Sequence, residues 1–276
     1  MKKFSVLFVA VIFTAISVVP AMAGPSRAII QEMGSTIGKD EVNIDVDWLP
    51  TGLNVVSNTT KAAIGGGDGT VGGLALSSVN VGLADGLELR LGRLPGLKSY
   101  ISGLANNSSL GLTVKGAIPG VPGLAAWVGY GSNTTKDALS ADNAGDTQMS
   151  STRIGAAYTW AGPVIVNGTL DYGVDTATSA GVSAKDTTTT ALALAALYPL
   201  KSNVIVGAEY HMATVDAGGT KYTVTAPAIG ARVIAGNFTI DAIAVLAANV
   251  KPDTSGLTDI NTTTIGVPTL RVNYKF

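Results

Sequence analysis

Apolar and polar residues alternate with a period of two over many short stretches of this chain. The final seven residues, LRVNYKF, place Leu270, Val272, Tyr274 and Phe276 on one face and polar residues between them. The stretches VNIDVDW, LELRL, VIVNGTLDYGV and VIVGAEYHM repeat this alternation. Such a period indicates β-strands with one apolar face and one polar face. The pattern therefore predicts an all-β chain.

Clusters of Gly, Pro, Asn and Asp divide these stretches with two alternating kinds of connection. Five short turns are predicted near residues 85–86, 119–122, 161–162, 201–203 and 235–236. Six longer polar connections are predicted at about 57–71, 95–108, 131–150, 175–188, 214–220 and 249–263. Together they predict about twelve strands in an up-and-down antiparallel order. Pro227 interrupts one stretch, which predicts a bulge that turns Ile229, Ala231 and Val233 outward.

The amino terminus predicts export. Lys2 and Lys3 precede an apolar run, and Ala21-Met22-Ala23 follows it, which is the order of a secretory signal peptide. An uncleaved anchor is the alternative, but a run of about 16 apolar residues is short for a membrane span. We expect residues 1–23 to be removed, residues 24–41 to form a short periplasmic or lumenal segment, and residues 42–276 to form the β-domain.

Composition indicates that water is not the only solvent of this domain. Hydrophobic residues make up 46% of the chain and charged residues only 13%, against about 25% in soluble domains. Beyond the signal, no apolar run reaches the ~18 residues of a spanning helix. A chain that crosses a membrane without helices must close its strands into a barrel. The absence of cysteine excludes disulfides and thiol chemistry.

The aromatic residues independently predict a membrane barrel, because they fall near both ends of the strands. Aromatic girdles at the two interfaces are typical of transmembrane barrels. The predicted girdle residues are Trp48, Tyr130, Tyr158, Trp160, Tyr172, Tyr198, Tyr210, Tyr222 and Phe238.

Together these features resemble a Gram-negative outer-membrane β-barrel protein of the small porin type, without matching a particular subfamily. The resemblance implies that both termini are periplasmic and that the surroundings are outer-membrane lipid and lipopolysaccharide. It also implies that the barrel assembly machinery reads the last strand, with Leu270, Val272, Tyr274 and Phe276 as its signal. A homo-oligomer is compatible with the resemblance, and nucleic acid is not an expected partner.

The polar face of the strands supplies candidate pore-lining residues. Acids and bases are nearly balanced on it, which predicts weak charge selectivity. These residues are Asp45, Asp47, Glu88, Arg90, Lys115, Arg153, Asp171, Glu209, His211, Arg232, Asp241 and Arg271.

Passive diffusion of small hydrophilic solutes or ions is the leading functional prediction from the sequence. The alternative is a plugged structural or surface-interaction barrel without transport. A barrel hydrolase using His211, the only histidine, is a minor alternative, with Glu209 on the same face. We expect no enzymatic activity, no cofactor and no metal.

Two stretches, SRAIIQEMG with an N-cap at Ser26 and LKSYISGL at 97–104, predict short helices. Either helix could fold into the lumen and narrow it. A periplasmic leader and an ordinary external connection are the alternatives.

Overall fold

The computed structural model describes residues 27–28, 30–49, 73–95, 110–135, 147–179, 182–183, 186–246, 248–253, 260–262 and 269–276. The predicted helix at 97–104 lies outside these ranges, as do the signal peptide and most of the long connections. No helix in the described part of the chain is long and apolar enough to span a membrane.

The described residues form β-strands almost throughout. The strands are β1 (Val42–Leu49), β2 (Gly73–Ala84), β3 (Leu87–Gly92), β4 (Leu110–Ala117), β5 (Leu124–Thr135), β6 (Thr147–Trp160), β7 (Ile165–Ser179), β8 (Val182–Ser183), β9 (Thr187–Lys201), β10 (Val204–Ala217), β11 (Thr220–Ala235), β12 (Phe238–Val245), β13 (Ala248–Pro252), β14 (Ile260–Thr262) and β15 (Thr269–Lys275).

Twelve of these strands close into an antiparallel barrel. The order around the wall is β1-β2-β3-β4-β5-β6-β7-β9-β10-β11-β12-β15, and β15 pairs with β1 to complete the ring. At this seam Ile44 lies opposite Tyr274 and Asp47 lies opposite Arg271. Each of these twelve strands is thus paired with a neighbour on both sides. The predicted all-β, twelve-stranded barrel is confirmed.

The predicted bulge lies opposite Pro227 rather than in its own strand. Strand β11 keeps one register along all of β10, and the irregularity falls between β12 and β13, where the Leu246 N–H donates to the Pro227 carbonyl at 2.9 Å. Proline has no N–H, so the wall adjusts on the partner strand. Ile229 and Val233 are exposed on the outer face, while Arg232 between them is buried.

The connection between β10 and β11 differs from the prediction of a long one at 214–220. The two strands pair as far as Ala217 and Thr220, and Gly218-Gly219 alone turn the chain. Both glycines have positive φ, 67° and 99°, which L-residues with a side chain rarely adopt. The polar composition of 214–220 therefore belongs to a protruding hairpin.

The outer face of the wall is apolar and the inner face is polar. Large apolar side chains such as Leu170, Leu194 and Ile154 are exposed, whereas the alternate residues are buried in the barrel. This is the reverse of a soluble barrel, in which apolar side chains face inward. The outer wall suits a hydrocarbon environment.

The last residue completes the closing seam. The Phe276 N–H donates to the Val42 carbonyl at 2.9 Å, and the Phe276 ring packs edge-on against Tyr274 with centroids 4.6 Å apart. Phe238 packs on the other side of Tyr274, also at 4.6 Å. These three rings form an aromatic cluster at the short-turn end of the barrel, in which Phe238 and Phe276 are exposed and Tyr274 is half-buried.

Replacing Phe276 with aspartate is expected to lower the amount of inserted protein several-fold, because it removes this terminal ring and its predicted role in assembly. Outer-membrane fractions of cells, probed by immunoblot, measure the effect. A charge change at Asp142, in a predicted long connection, is the control. Equal membrane levels of the two variants would contradict the role of Phe276.

Candidate functional site in the barrel lumen

An N-terminal segment, described at residues 27–28 and 30–38, lies inside the barrel; we call it the plug. Arg27, Glu32 and Met33 are among its members that are almost completely buried. The predicted helix from Ser26 to Gly34 is wrong over its described residues. Arg27 and Glu32 instead form an isolated β-bridge around a tight turn, with the Ala28 N–H donating to the Gln31 carbonyl at 2.9 Å. Side chains of the barrel wall accept the hydrogen bonds that the backbone of this segment would otherwise make within a helix.

Glu32 is the polar centre of the plug. Its carboxylate pairs with Arg90 at 2.5 and 3.0 Å and with Lys115 at 3.0 Å. Its main-chain carbonyl accepts hydrogen bonds from Asn167 at 2.8 Å and Thr169 at 3.0 Å, both on β7. Burial alone would raise the pKa of Glu32, but the charges of Arg90 and Lys115 lower it to about 2. Glu32 is therefore ionised at neutral pH and joins two sides of the barrel.

The N-terminal end of the plug contacts the last strands and the first strand. Arg232 donates to the carbonyls of Arg27 at 3.1 Å and Ala28 at 2.5 Å, and it also pairs with Asp241 at 2.7 Å. The Arg27 guanidinium lies 2.6 Å from the Asp45 carboxylate. This end of the plug thus bridges β11, β12 and β1.

The other end of the plug contacts the wall near the short turns. The Gly34 N–H donates to the Thr159 hydroxyl at 2.7 Å, and the Ile37 N–H donates to Glu88 at 3.2 Å. Gly34 lies so close to the β4–β5 turn that an added Cβ would overlap the carbonyl oxygen of Gly123 and come within 2.8 Å of the Ala157 carbonyl oxygen. Only glycine fits this position.

The plug also covers an apolar patch on the inner wall. Ala28, Ile30 and Met33 belong to one buried cluster with wall residues of β7, β9, β10, β11 and β12. The wall members are Ile165, Ala195, Leu197, Ile205, Ala226, Ala228 and Ile243. Without the plug, this patch would face water inside the barrel.

All twelve predicted pore-lining residues are buried on the inner face. Several of them contact the plug directly: Asp45, Glu88, Arg90, Lys115, Glu209 and Arg232. Asp241 pairs with Arg232, and Asp47 pairs with Arg271 at 2.7 Å and Arg93 at 2.6 Å. Charges predicted to meet permeating ions thus meet protein partners in this structure.

The pair proposed for the hydrolase alternative also contacts the plug. Glu209 accepts hydrogen bonds from the main-chain N–H groups of Ile30 at 2.9 Å and Gln31 at 3.3 Å, and it lies 2.8 Å from His211 Nε2. The Glu209 carboxylate therefore binds the plug backbone through two main-chain N–H groups, with His211 beside it. Among the described residues, no group of three or more His, Asp or Glu side chains could hold a metal ion.

The predicted girdle residues divide by face. Seven are exposed on the outer wall: Tyr130, Tyr158, Trp160, Tyr172, Tyr198, Tyr210 and Phe238. Tyr222 lies opposite Val215 in the unbroken register of β11, which places it on the inner face with Ala226 and Ala228. The side chain of Trp48 is outside the described part of the structure. In the last strand, Leu270, Val272 and Tyr274 alternate with the buried Arg271 and Asn273.

Sequence reasoning missed the plug contacts and the inner apolar patch. Near the short turns, apolar residues occupy both parities of the strand, as in Val164-Ile165-Val166 and Val204-Ile205-Val206. That departure from alternation is the signal for a wall that is apolar on both faces. Trp127 stands three residues before the girdle residue Tyr130 and therefore has the opposite parity, and the structure places it on the inner wall, 3% exposed.

No family model and no curated protein matches this chain. Among solved structures it is similar to the outer-membrane expressed OmpT of Vibrio cholerae, at 17% identity and a TM-score of 0.39, covering 85% of this chain and 76% of that one. It is also similar to the translocator domain of the autotransporter NalP from Neisseria meningitidis, at 13% identity and 0.39, covering 86% of each chain. The anion-selective porin from Comamonas acidovorans is a third, at 14% identity and 0.37, covering 85% and 74%. At these values the similarity is one of barrel architecture, and the strand pairing given above establishes that architecture by itself.

Proposed function

We propose that this protein is a bacterial outer-membrane barrel that is closed at rest by its own N-terminal plug and serves as a structural or surface-binding barrel. The observation that carries the proposal is the path of residues 27–38 through the lumen. From Glu88 on β3 the plug reaches Thr159 on β6 and Thr169 on β7, and it returns to Arg232 on β11. A segment that contacts so much of the wall supports a lumen that is obstructed at its level.

Packing supports a permanent plug more than a loosely held one. The apolar patch around Ile165, Leu197 and Ile243 packs against Ala28, Ile30 and Met33 of the plug, so release would expose it to water. Release would also leave Arg90 and Lys115 without Glu32, and buried charges that lose a partner are costly. The exposed apolar outer wall supports a membrane location, and the resemblance to outer-membrane barrels supports the outer membrane.

A channel that opens when the plug leaves is the second candidate. It is favoured by the charged inner wall, because Arg90, Lys115, Glu209 and Arg232 would line a water-filled lumen once the plug was gone. Hydrolysis is less well supported, because Glu209 and His211 are engaged with the plug and with each other.

Single-channel recording in planar bilayers tests the proposal. The wild-type protein is expected to show no steady conductance, and a variant lacking residues 27–38 is expected to show one. A twelve-residue deletion of 55–66, in the connection between β1 and β2, is the control and is expected to remain closed. Steady wild-type conductance as large as that of the plug deletion would overturn the proposal in favour of an open diffusion channel.

A further inference from the structure

Wall side chains bind main-chain groups from one end of the plug to the other. Each peptide unit offers the same N–H and carbonyl whatever its sequence, so contacts of this kind can be made to any chain that takes the same path. The main-chain groups that the wall binds belong to Arg27, Ala28, Ile30, Gln31, Glu32, Gly34 and Ile37.

Side chains of the plug add specificity at particular positions. Glu32 lies between Arg90 and Lys115, and both cations are almost completely buried, which calls for a carboxylate at this position. Ile30, two residues earlier, packs on the apolar patch of the inner wall, and Gly34, two residues later, has no room for a Cβ. A chain that fits the wall therefore carries an apolar residue, a carboxylate and a glycine at alternate positions.

The side chains that bind the plug are also held by the wall itself. Arg232 makes two hydrogen bonds to Asp241, at 2.7 and 2.9 Å, besides those that it donates to the plug. Arg90 donates to Asn80 at 2.8 Å in the same way. These partners are wall residues, so they keep the plug-binding groups in position when the plug is absent. A site of this kind is preorganised, and little ordering entropy is lost when a peptide enters it.

The link between the plug and β1 lies at the short-turn end of the barrel. Gly38, Lys39 and Asp40 are exposed there, and the Asp40 N–H donates to the Gly82 carbonyl at 2.9 Å. The contacts that the plug makes inside the lumen do not pass through this link. Its effect is to keep the plug at a high effective concentration beside the site.

We propose that the inner wall is a preformed peptide-binding site, which the plug occupies at rest and which an acidic peptide of another chain can occupy in its place. The partner segment carries a carboxylate two residues after an apolar residue and two residues before a glycine, and it enters at the short-turn end. The inference rests on the proposed function, because the plug defines both the site and its ligand. It adds the chemistry of a partner to a barrel that closes itself.

Cutting the plug from the folded barrel tests the site. A recognition sequence for a site-specific protease is inserted between Lys39 and Asp40, so that the whole chain folds before it is cut. The cut plug is expected to stay bound through gel filtration in detergent. A synthetic peptide of residues 24–39, labelled at Lys39 and added in excess, is expected to exchange into the cut barrel and to give saturable fluorescence anisotropy. The variant lacking residues 27–38 gives a second measurement, since the peptide is expected to block its conductance.

Variants of the peptide test the chemistry of the ligand. Glu32→Gln is expected to weaken binding by about tenfold or more, because two buried cations lose their charged partner. Gly34→Val is expected to abolish binding, because its side chain overlaps the wall backbone. Thr36→Ser, at a half-buried position, is the matched control and is expected to bind as the native peptide does. In a Lys115→Met barrel the loss caused by Glu32→Gln is expected to shrink, because one of the two cations is already gone.

Two results would overturn the site. One is a cut plug that leaves the barrel with no binding of the labelled peptide; the other is equal binding of the native, Glu32→Gln and Gly34→Val peptides. Either result leaves the closed barrel standing when the uncut protein does not conduct. A wild-type protein that conducts steadily while its cut form still binds the peptide would remove the closed barrel and leave the peptide site.

Discussion

Replacing Gly34 with valine is expected to displace the plug and to give a barrel that conducts ions steadily. The Cβ of a valine at position 34 would overlap the carbonyl oxygen of Gly123 and approach that of Ala157. Both oxygens belong to the wall backbone and cannot rotate away. The wall is fixed by two ladders of hydrogen bonds on each strand, whereas the plug is held along its length by separate contacts. The plug is therefore the part expected to move. Planar-bilayer recording measures the conductance.

Gly168→Val is the matched control for this substitution. Gly168 faces the outer wall, and an added Cβ there meets only Leu194 at 3.6 Å, an ordinary van der Waals contact. Limited trypsin digestion gives a second measurement, because cleavage after the buried Arg27 requires the plug to leave. A Gly34→Val protein that stays closed and resists cleavage at Arg27 would contradict the close fit of the plug.

Asp45→Asn is expected to lower the free energy of unfolding by about 3 kcal/mol, the lower end for a buried ion pair that loses one charge. Asp45 accepts hydrogen bonds from Ser78 at 2.6 Å, Asn80 at 3.0 Å and Asn273 at 2.9 Å, and Arg27 lies 2.6 Å away. An amide in its place turns one acceptor oxygen into a donor that faces other donors. Equilibrium unfolding by urea in lipid vesicles measures the change.

Asp85→Asn is the control, since Asp85 is exposed in the turn between β2 and β3. It removes the same charge without breaking a buried contact, and surface changes of this kind usually stay within about 0.5 kcal/mol. An Asp45→Asn protein whose urea midpoint equals that of Asp85→Asn would show that the network around Asp45 contributes little to stability.

The barrel could be predicted from the sequence because the patterns that determine its strands and turns involve residues close together in the chain. A period of two determines the face of every residue in a strand, so the inward side of Glu88 or Arg90 follows from its neighbours alone. Turn residues mark the ends of strands in the same local way. The β10–β11 hairpin was an exception, because Thr and Gly there form strand and tight turn where a long connection was expected. Strands β13 and β14 likewise lie within the connection expected at 249–263.

The backbone path and the contacts of the plug could not be predicted in this way, although the sequence left a lumenal position open for this segment. Residues 27–38 show no period-two pattern, and their partners lie far along the chain; Ile30 binds Glu209 across 179 positions. A helical interpretation was reasonable for SRAIIQEMG in isolation, because its local propensity favours a helix. In the lumen, carboxylates and amides of the wall satisfy the plug backbone instead, and these tertiary contacts override the local propensity. Tyr222 shows the same limit for single residues, since its face depends on whether the irregularity near Pro227 falls in β11 itself or, as in the structure, in the partner strand.

The contact between Arg232 and the start of the plug has a kinetic consequence. These groups are 204 and 205 positions apart, and Asp45 and Asn273 are 228 apart. The first dozen residues of the described chain therefore cannot reach their final places until the last strands have been synthesised and brought alongside. Folding dominated by such distant contacts is slow, because the chain loses loop entropy before the contacts form. We therefore expect plug insertion and barrel closure to occur together late in folding, after most of the wall strands have paired.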